Sequence, residues 1–139
     1  MRRFLTYTMA VLVIITFIPL GEALAKDLCV SAGINGIFIF KTVKPLKNPG
    51  QFSPLNGIWI NTLFGESSPV HGAAYVMGDG TIDIGLYIHF NAVGVNVSAQ
   101  LRGSTFETAS GPFDNGDDGT NDGTLTFAGY VDCRSVTLP

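Results

Sequence analysis

His71-Gly-Ala-Ala-Tyr-Val-Met77, Gly78-Asp79-Gly80, Thr81-Ile-Asp-Ile-Gly-Leu-Tyr-Ile-His-Phe90, Asn91-Ala-Val-Gly94 and Val95-Asn-Val-Ser-Ala-Gln-Leu-Arg102 follow one another without interruption. Each long piece alternates apolar and polar residues, the period of a strand with one buried face. Gly78-Asp79-Gly80 reads as a three-residue hairpin loop, with Gly80 suited to the left-handed position that closes it. That loop sets Val76 opposite Ile82, Ala74 opposite Ile84, Gly72 opposite Leu86 and Val70 opposite Ile88. The loop at 91–94 sets Phe90 opposite Val95, Ile88 opposite Val97, Leu86 opposite Ala99 and Ile84 opposite Leu101. One apolar face then runs across three strands. A slip of one residue would turn every apolar side chain to the wrong side, so the register is well specified. The other face collects His71, Tyr75, Asp83, Tyr87, His89, Asn96, Gln100 and Arg102, with Gly85 between Ala73 and Gln100.

The rest of the chain reads outward from this meander. Asn35 to Val43 is a strand whose Ile37, Phe38, Ile39 and Phe40 are apolar on both faces, as in a strand covered on both sides. Lys44 to Pro54, with three prolines, reads as a loop. Gly57 to Leu63 is a strand centred on Trp59, and Gly65 to Pro69 a turn. Thr105 to Ala109 continues the third meander strand or forms a short one. Gly111 to Gly123 is a loop, Thr124 to Cys133 a strand, and Val136 and Leu138 mark a last short strand. The fold class is therefore all-β, with seven or eight strands. Short connections favour a small antiparallel up-and-down barrel, which removes exposed sheet edges. A β-sandwich is the alternative.

Composition bounds the function. The 139 residues carry 8 Lys+Arg and 11 Asp+Glu, and 17 glycines, well above the usual ~7%. Arg2 and Arg3, the apolar run Met9 to Ile18, and Ala23-Leu24-Ala25 read as a cleaved signal peptide over 1–25. Residues 26–139 then form a single all-β domain, exported to a periplasmic or extracellular compartment, with no membrane span in the mature chain. Weak charge of acidic sign argues against nucleic acid. Lys26, Lys41, Lys44 and Lys47 oppose an acidic remainder, a polarity that could promote head-to-tail self-association, although a plain solvated surface is the reading it favours. Cys29 and Cys133, near the two ends of an exported domain, read as one disulfide.

Two segments carry site chemistry. The polar face holds both histidines, groups that titrate near neutrality, together with tyrosines and amides common in binding surfaces. The same residues also read as the wet outer side of a meander, with Asp83–Arg102 an ordinary cross-strand pair. The histidines lack a clear third ligand for zinc. The loop Asp114-Asn-Gly-Asp-Asp-Gly-Thr-Asn-Asp-Gly123 offers hard oxygens for calcium from Asp114, Asp118, Thr120 and Asp122, although no glutamate closes the pattern. With Thr120 at the central position and no closing glutamate, an ordinary solvated turn-rich loop is the favoured reading and calcium the alternative. Asn96-Val97-Ser98 fits a glycosylation sequon.

Gly57-Ile58-Trp59 resembles the Gly-x-Trp of the lipocalin and avidin-like barrels, which hold ligands in the barrel mouth. The bland reading of these residues is a buried tryptophan beside a turn glycine. Phe106-Glu-Thr-Ala109-Ser-Gly111 is similar to the F-x-x-A-x-G segment of dirigent and allene oxide cyclase-like barrels. The function this supports is non-catalytic binding of a small ligand or a macromolecular partner, which is unknown. The alternatives are a structural or surface-assembly subunit, joined through the Phe-rich strand or an unpaired edge, and a small barrel-type isomerase or cyclase using the polar face. A cavity lined by His71, Tyr87 and His89 would favour binding or catalysis, and a filled interior would favour the structural reading.

Overall fold

Among the described residues nine strands form one antiparallel sheet, in the order β8-β7-β6-β5-β4-β3-β2-β1-β9 when numbered along the chain. They are β1 (Lys26–Ser31), β2 (Ile37–Val43), β3 (Phe52–Asn61), β4 (Glu66–Val76), β5 (Ile82–Phe90), β6 (Val95–Gly103), β7 (Ser110–Asn115), β8 (Gly123–Thr126) and β9 (Tyr130–Val131). This computed structural model describes residues 25–139 apart from 91–93 and 117. The signal-peptide reading over 1–25 and most of the loop 91–94 thus lie outside the described residues. The meander has the register its sequence dictates at every pair, from Val70 opposite Ile88 to Phe90 opposite Val95. Gly80 has φ +86, the left-handed conformation that the hairpin requires.

The sheet curls into a barrel-like shell. Its two edge strands are consecutive in the chain, and residues 127–129 join them. The amide of Phe127 donates to Ala109 ahead of β7, that of Ala128 to Ser31 of β1, and that of Ser31 to Gly129. One stretch of chain therefore pairs first with β7 and then with β1. The Cys29–Cys133 disulfide pins the second edge to the first strand.

Curling compresses the concave side, and three inward-facing glycines allow it. A Cβ at Gly57, Gly72 or Gly111 would lie 1.7, 1.9 or 1.9 Å from the carbonyl oxygen of Ile39, Gly85 or Gln100 on the adjacent strand. Only a residue without a side chain permits that approach. Gly57 is therefore a strand glycine, not a turn glycine, beside a tryptophan that is indeed buried. Trp59 packs edge-on to Phe90 at 5.0 Å and its Nε1 donates to Asn35 O. Gly111 belongs to the Phe106–Gly111 segment, whose Phe106 and Ala109 are also buried.

Inside the shell Phe38, Phe40, Phe106 and Phe127 pack with ring centroids 5.4 to 6.3 Å apart, mostly tilted or edge-on, alongside Ile82, Ile84, Leu86, Ile88 and Val97. The other face of β2 is also covered. Ile39 packs with Cys29 and Ile60, under Ile37, Ile58, Val131, Cys133 and Val136. Both faces of β2 are thus buried, as its continuous apolar run implies. This burial corrects one expectation, because Phe38 and Phe40 are unavailable for contact between copies.

Other corrections follow from where partners are missing. The loop after β2 ends at Gln51, and Pro54 lies within β3 opposite Ala73. Residues 52–56 pair with β4 alone, so Pro54 withholds no N–H from β2. Pro69 likewise sits in β4 where β5 pairing has not yet begun, so the turn is 62–65 and the strand starts at Glu66. Residues 106–108 form a 3₁₀ turn that buries Phe106, not a strand. Ser110–Asn115 is a strand, which shortens the acidic loop to 116–122. Thr124–Cys133 breaks into β8 and β9 at Gly129, whose φ is +98. Cys133–Ser135 form a 3₁₀ turn, and the last strand expected around Val136 and Leu138 is not formed. The chain from Lys26 to Ser31, for which no strand was expected, forms β1.

Candidate functional site

Strand alternation places all eight polar-face residues on the convex side of β4, β5 and β6, and neighbouring strands put them in contact. His71 stacks on Tyr87 with centroids 5.8 Å apart and planes at 14°. His89 Nδ1 and Asn96 Oδ1 lie 2.5 Å apart, a cross-strand hydrogen bond in which the amide oxygen accepts. Arg102 grips Asp83 with two bonds, Nε to Oδ1 at 2.5 Å and Nη2 to Oδ2 at 2.9 Å. Tyr75, 43% exposed, stands opposite Phe52, 53% exposed. The Gln100 amide lies over Gly85, 3.3 Å from where a Cβ there would sit.

These contacts form two ridges separated by a low floor. One ridge crosses the strands as Phe52, Tyr75, Asp83 and Arg102, and the other as Asn56, His71, Tyr87 and Ser98. Between them run Pro54, Ala73 and Gly85, ending at Gln100. Phe52 is the site residue that sequence reasoning missed. Its signal was the alternation Phe52, Pro54, Asn56 against Ser53, Leu55, Gly57, masked by the prolines.

Gln100 also lines an open cleft of about 230 Å³ between β6, β7 and the acidic loop, with Ser98, Phe113, Asp114, Thr120 and Asn121 among its walls. The polar face and the acidic loop thus meet at one place. The loop is folded on its own carboxylates. Asp114 accepts from the amides of Asp118 and Gly119, Asp118 from the amide and hydroxyl of Thr120, and Asp122 from the amide of Asn115. One carboxylate oxygen each from Asp114, Asp118 and Asp122 falls within 4.8 Å of the others, so these residues could hold a cation. Thr120 gives its hydroxyl hydrogen to Asp118.

Hydrogen bonds hold several carboxyls below their ordinary value of 3.8. Arg102 lowers Asp83, the Thr81 hydroxyl lowers Asp79, the Thr120 hydroxyl lowers Asp118, Lys41 lowers Asp27 and Arg134 lowers Asp132. A depressed folded value means that the ionised form stabilises the fold, fully above the ordinary value and progressively less as pH falls through the folded one. Tm measured from about pH 5 downwards is therefore expected to fall steadily below about pH 4. A flat profile there would contradict these contacts.

The chain matches no protein-family model, no curated protein and no solved structure. Among the described residues no helix is long and apolar enough to cross a membrane.

Proposed function

We propose that this is an exported, non-catalytic binding module that holds its partner on the convex face of β4–β6 and in the adjoining cleft. The observation that carries this reading is the division of the sheet. Ile82, Ile84, Leu86, Ile88 and Val97 fill the concave side, while the convex side presents exposed tyrosines among side chains already fixed by pairwise contacts. Fixed side chains lose little entropy on binding. The filled interior counts against a ligand inside the barrel, and the ridged outer face with its cleft supplies another place. Export rests on the leader and on the disulfide, a bond of oxidising compartments.

A second reading, an assembly subunit, is favoured by Ile34, Leu63 and Phe64. They are 84%, 72% and 75% exposed in the turns that join β1 to β2 and β3 to β4, at one end of the barrel. Calcium is the proposed occupant of the acidic loop, which has no lysine or arginine between Arg102 and Arg134 to balance it.

Native mass spectrometry of the protein from its own host's exported fraction, without chelator, separates these readings. A monomer carrying an added mass that Tyr87→Ala loses is the expected result. A calcium adduct lost on chelation supports the loop site. A bare mass in an oligomer overturns the binding reading in favour of assembly.

A further inference from the structure

The convex face has a chemical character that narrows its ligand. We propose that the trough between its two ridges binds a neutral glycan, an inference that rests on the face being the binding surface.

Charge comes first. The only formal charges that the ridges carry are Asp83 and Arg102, and these neutralise one another in a bidentate pair. The adjoining loop is acidic. Among the described residues of the ridges an anionic ligand therefore finds no cation that is not already paired. Ring faces come second. Tyr75 and Tyr87 are both nearly half exposed, on opposite ridges, with Tyr87 braced by the stacked ring of His71. A sugar ring presents an apolar C–H face that packs on such rings and a rim of hydroxyls.

Hydrogen-bond polarity comes third. Arg102 engages Asp83, and the amides of Asp118 and Gly119 engage Asp114. The Gln100 amide and the Tyr75 and Tyr87 hydroxyls can each donate and accept. Sugar hydroxyls, which do both as well, match them, whereas a proline-rich peptide offers mainly carbonyl acceptors. The open cleft at the end of the trough, about 230 Å³, is smaller than the ~300–1,000 Å³ of pockets that enclose drug-sized molecules, as expected of a surface that holds its ligand along a shallow face.

Gly85 provides the means of testing the trough without damaging the fold. A Cβ there meets only the far end of the flexible Gln100 side chain, at 3.3 Å, so Gly85→Val fills the floor and keeps the strand once that amide swings a few tenths of an ångström aside. Valine also has the higher strand propensity, so Tm should be unchanged or higher.

The experiment is a printed array of neutral and anionic oligosaccharides and proline-rich peptides. It is probed with the wild-type protein, Gly85→Val, Tyr75→Ala and Tyr87→Ala, with Tm recorded for each. Retention of neutral oligosaccharides is expected, weakened about tenfold by either tyrosine change and abolished by Gly85→Val. Retention of anionic glycans only, or neutral binding indifferent to Gly85→Val, overturns the proposal. So does retention of proline-rich peptides that Gly85→Val abolishes, which assigns the trough to a peptide. If no glycan is retained while the native adduct still disappears in Tyr87→Ala, the glycan falls and the binding face stands. If the adduct is also insensitive to Tyr87→Ala, both fall.

Discussion

Gly72→Ala is expected to be among the most damaging single methyl groups that can be added to this protein, with Gly57→Ala and Gly111→Ala beside it. The new Cβ would lie 1.9 Å from the carbonyl oxygen of Gly85, an atom of the paired backbone with nowhere to rotate. Relief requires β4 and β5 to part at the pair Gly72–Leu86, in the middle of the register that organises the sheet. Overpacking of well-ordered interiors costs about 1–3 kcal/mol and sometimes more, and a backbone collision belongs at or above the top of that range. With total stabilities of about 5–15 kcal/mol, the variant should melt far below the wild type or fail to accumulate. Gly85→Val, thirteen residues along and facing the opposite way, is the control that should fold normally. Equal Tm values for wild type and Gly72→Ala would show that the sheet is not compressed on its concave side.

Removing the disulfide is the second large effect. Cys29 and Cys133 are 104 residues apart, and closing a loop of about 100 residues limits the unfolded chain by about 4.7 kcal/mol in the chain-entropy account. The Cys29→Ser/Cys133→Ser double variant is then expected to melt about 15–20 °C lower, at roughly 4 °C per kcal/mol for a domain of this size. The native contacts around the bond are not trivial. Ile39, Ile60 and Val136 pack about it, and Ser31 and Gly129 share a backbone bond nearby. A double variant with unchanged Tm would mean that these contacts hold the seam alone and that the reduced unfolded chain is already compact. Thermal melts of the oxidised protein and of the variant measure the difference.

The legible part of the fold was the part where one local rule met one global rule. Between Val70 and Arg102 the alternation and the turn at Gly80 both demanded one register, and the eight polar-face residues followed from it. Legibility failed where a residue's partner is distant in sequence. Pro54 and Pro69 look like breakers until it is known that β2 and β5 do not reach them. Phe106 looks like a strand residue until the core space beneath a 3₁₀ turn is visible. β8 and β9 read as one strand because Gly129 bends the chain between two different neighbours. In the candidate site the sequence placed His71 beside Tyr87 and Asp83 beside Arg102. It could not place Phe52 opposite Tyr75, nor bring the acidic loop against Gln100, since those depend on strand pairings outside the meander.

Side-chain amide resonances of Asn96 and Gln100 offer the most direct test that the convex face binds. Both amides stand on that face, one bonded to His89 and the other above Gly85. Adding the component retained from the host's exported fraction to ¹⁵N-labelled protein should shift both amides and the backbone signals around Tyr75 and Tyr87. Shifts confined to Ile34, Leu63 and Phe64, with Asn96 and Gln100 unmoved, would contradict the account and move the contact to the end of the barrel.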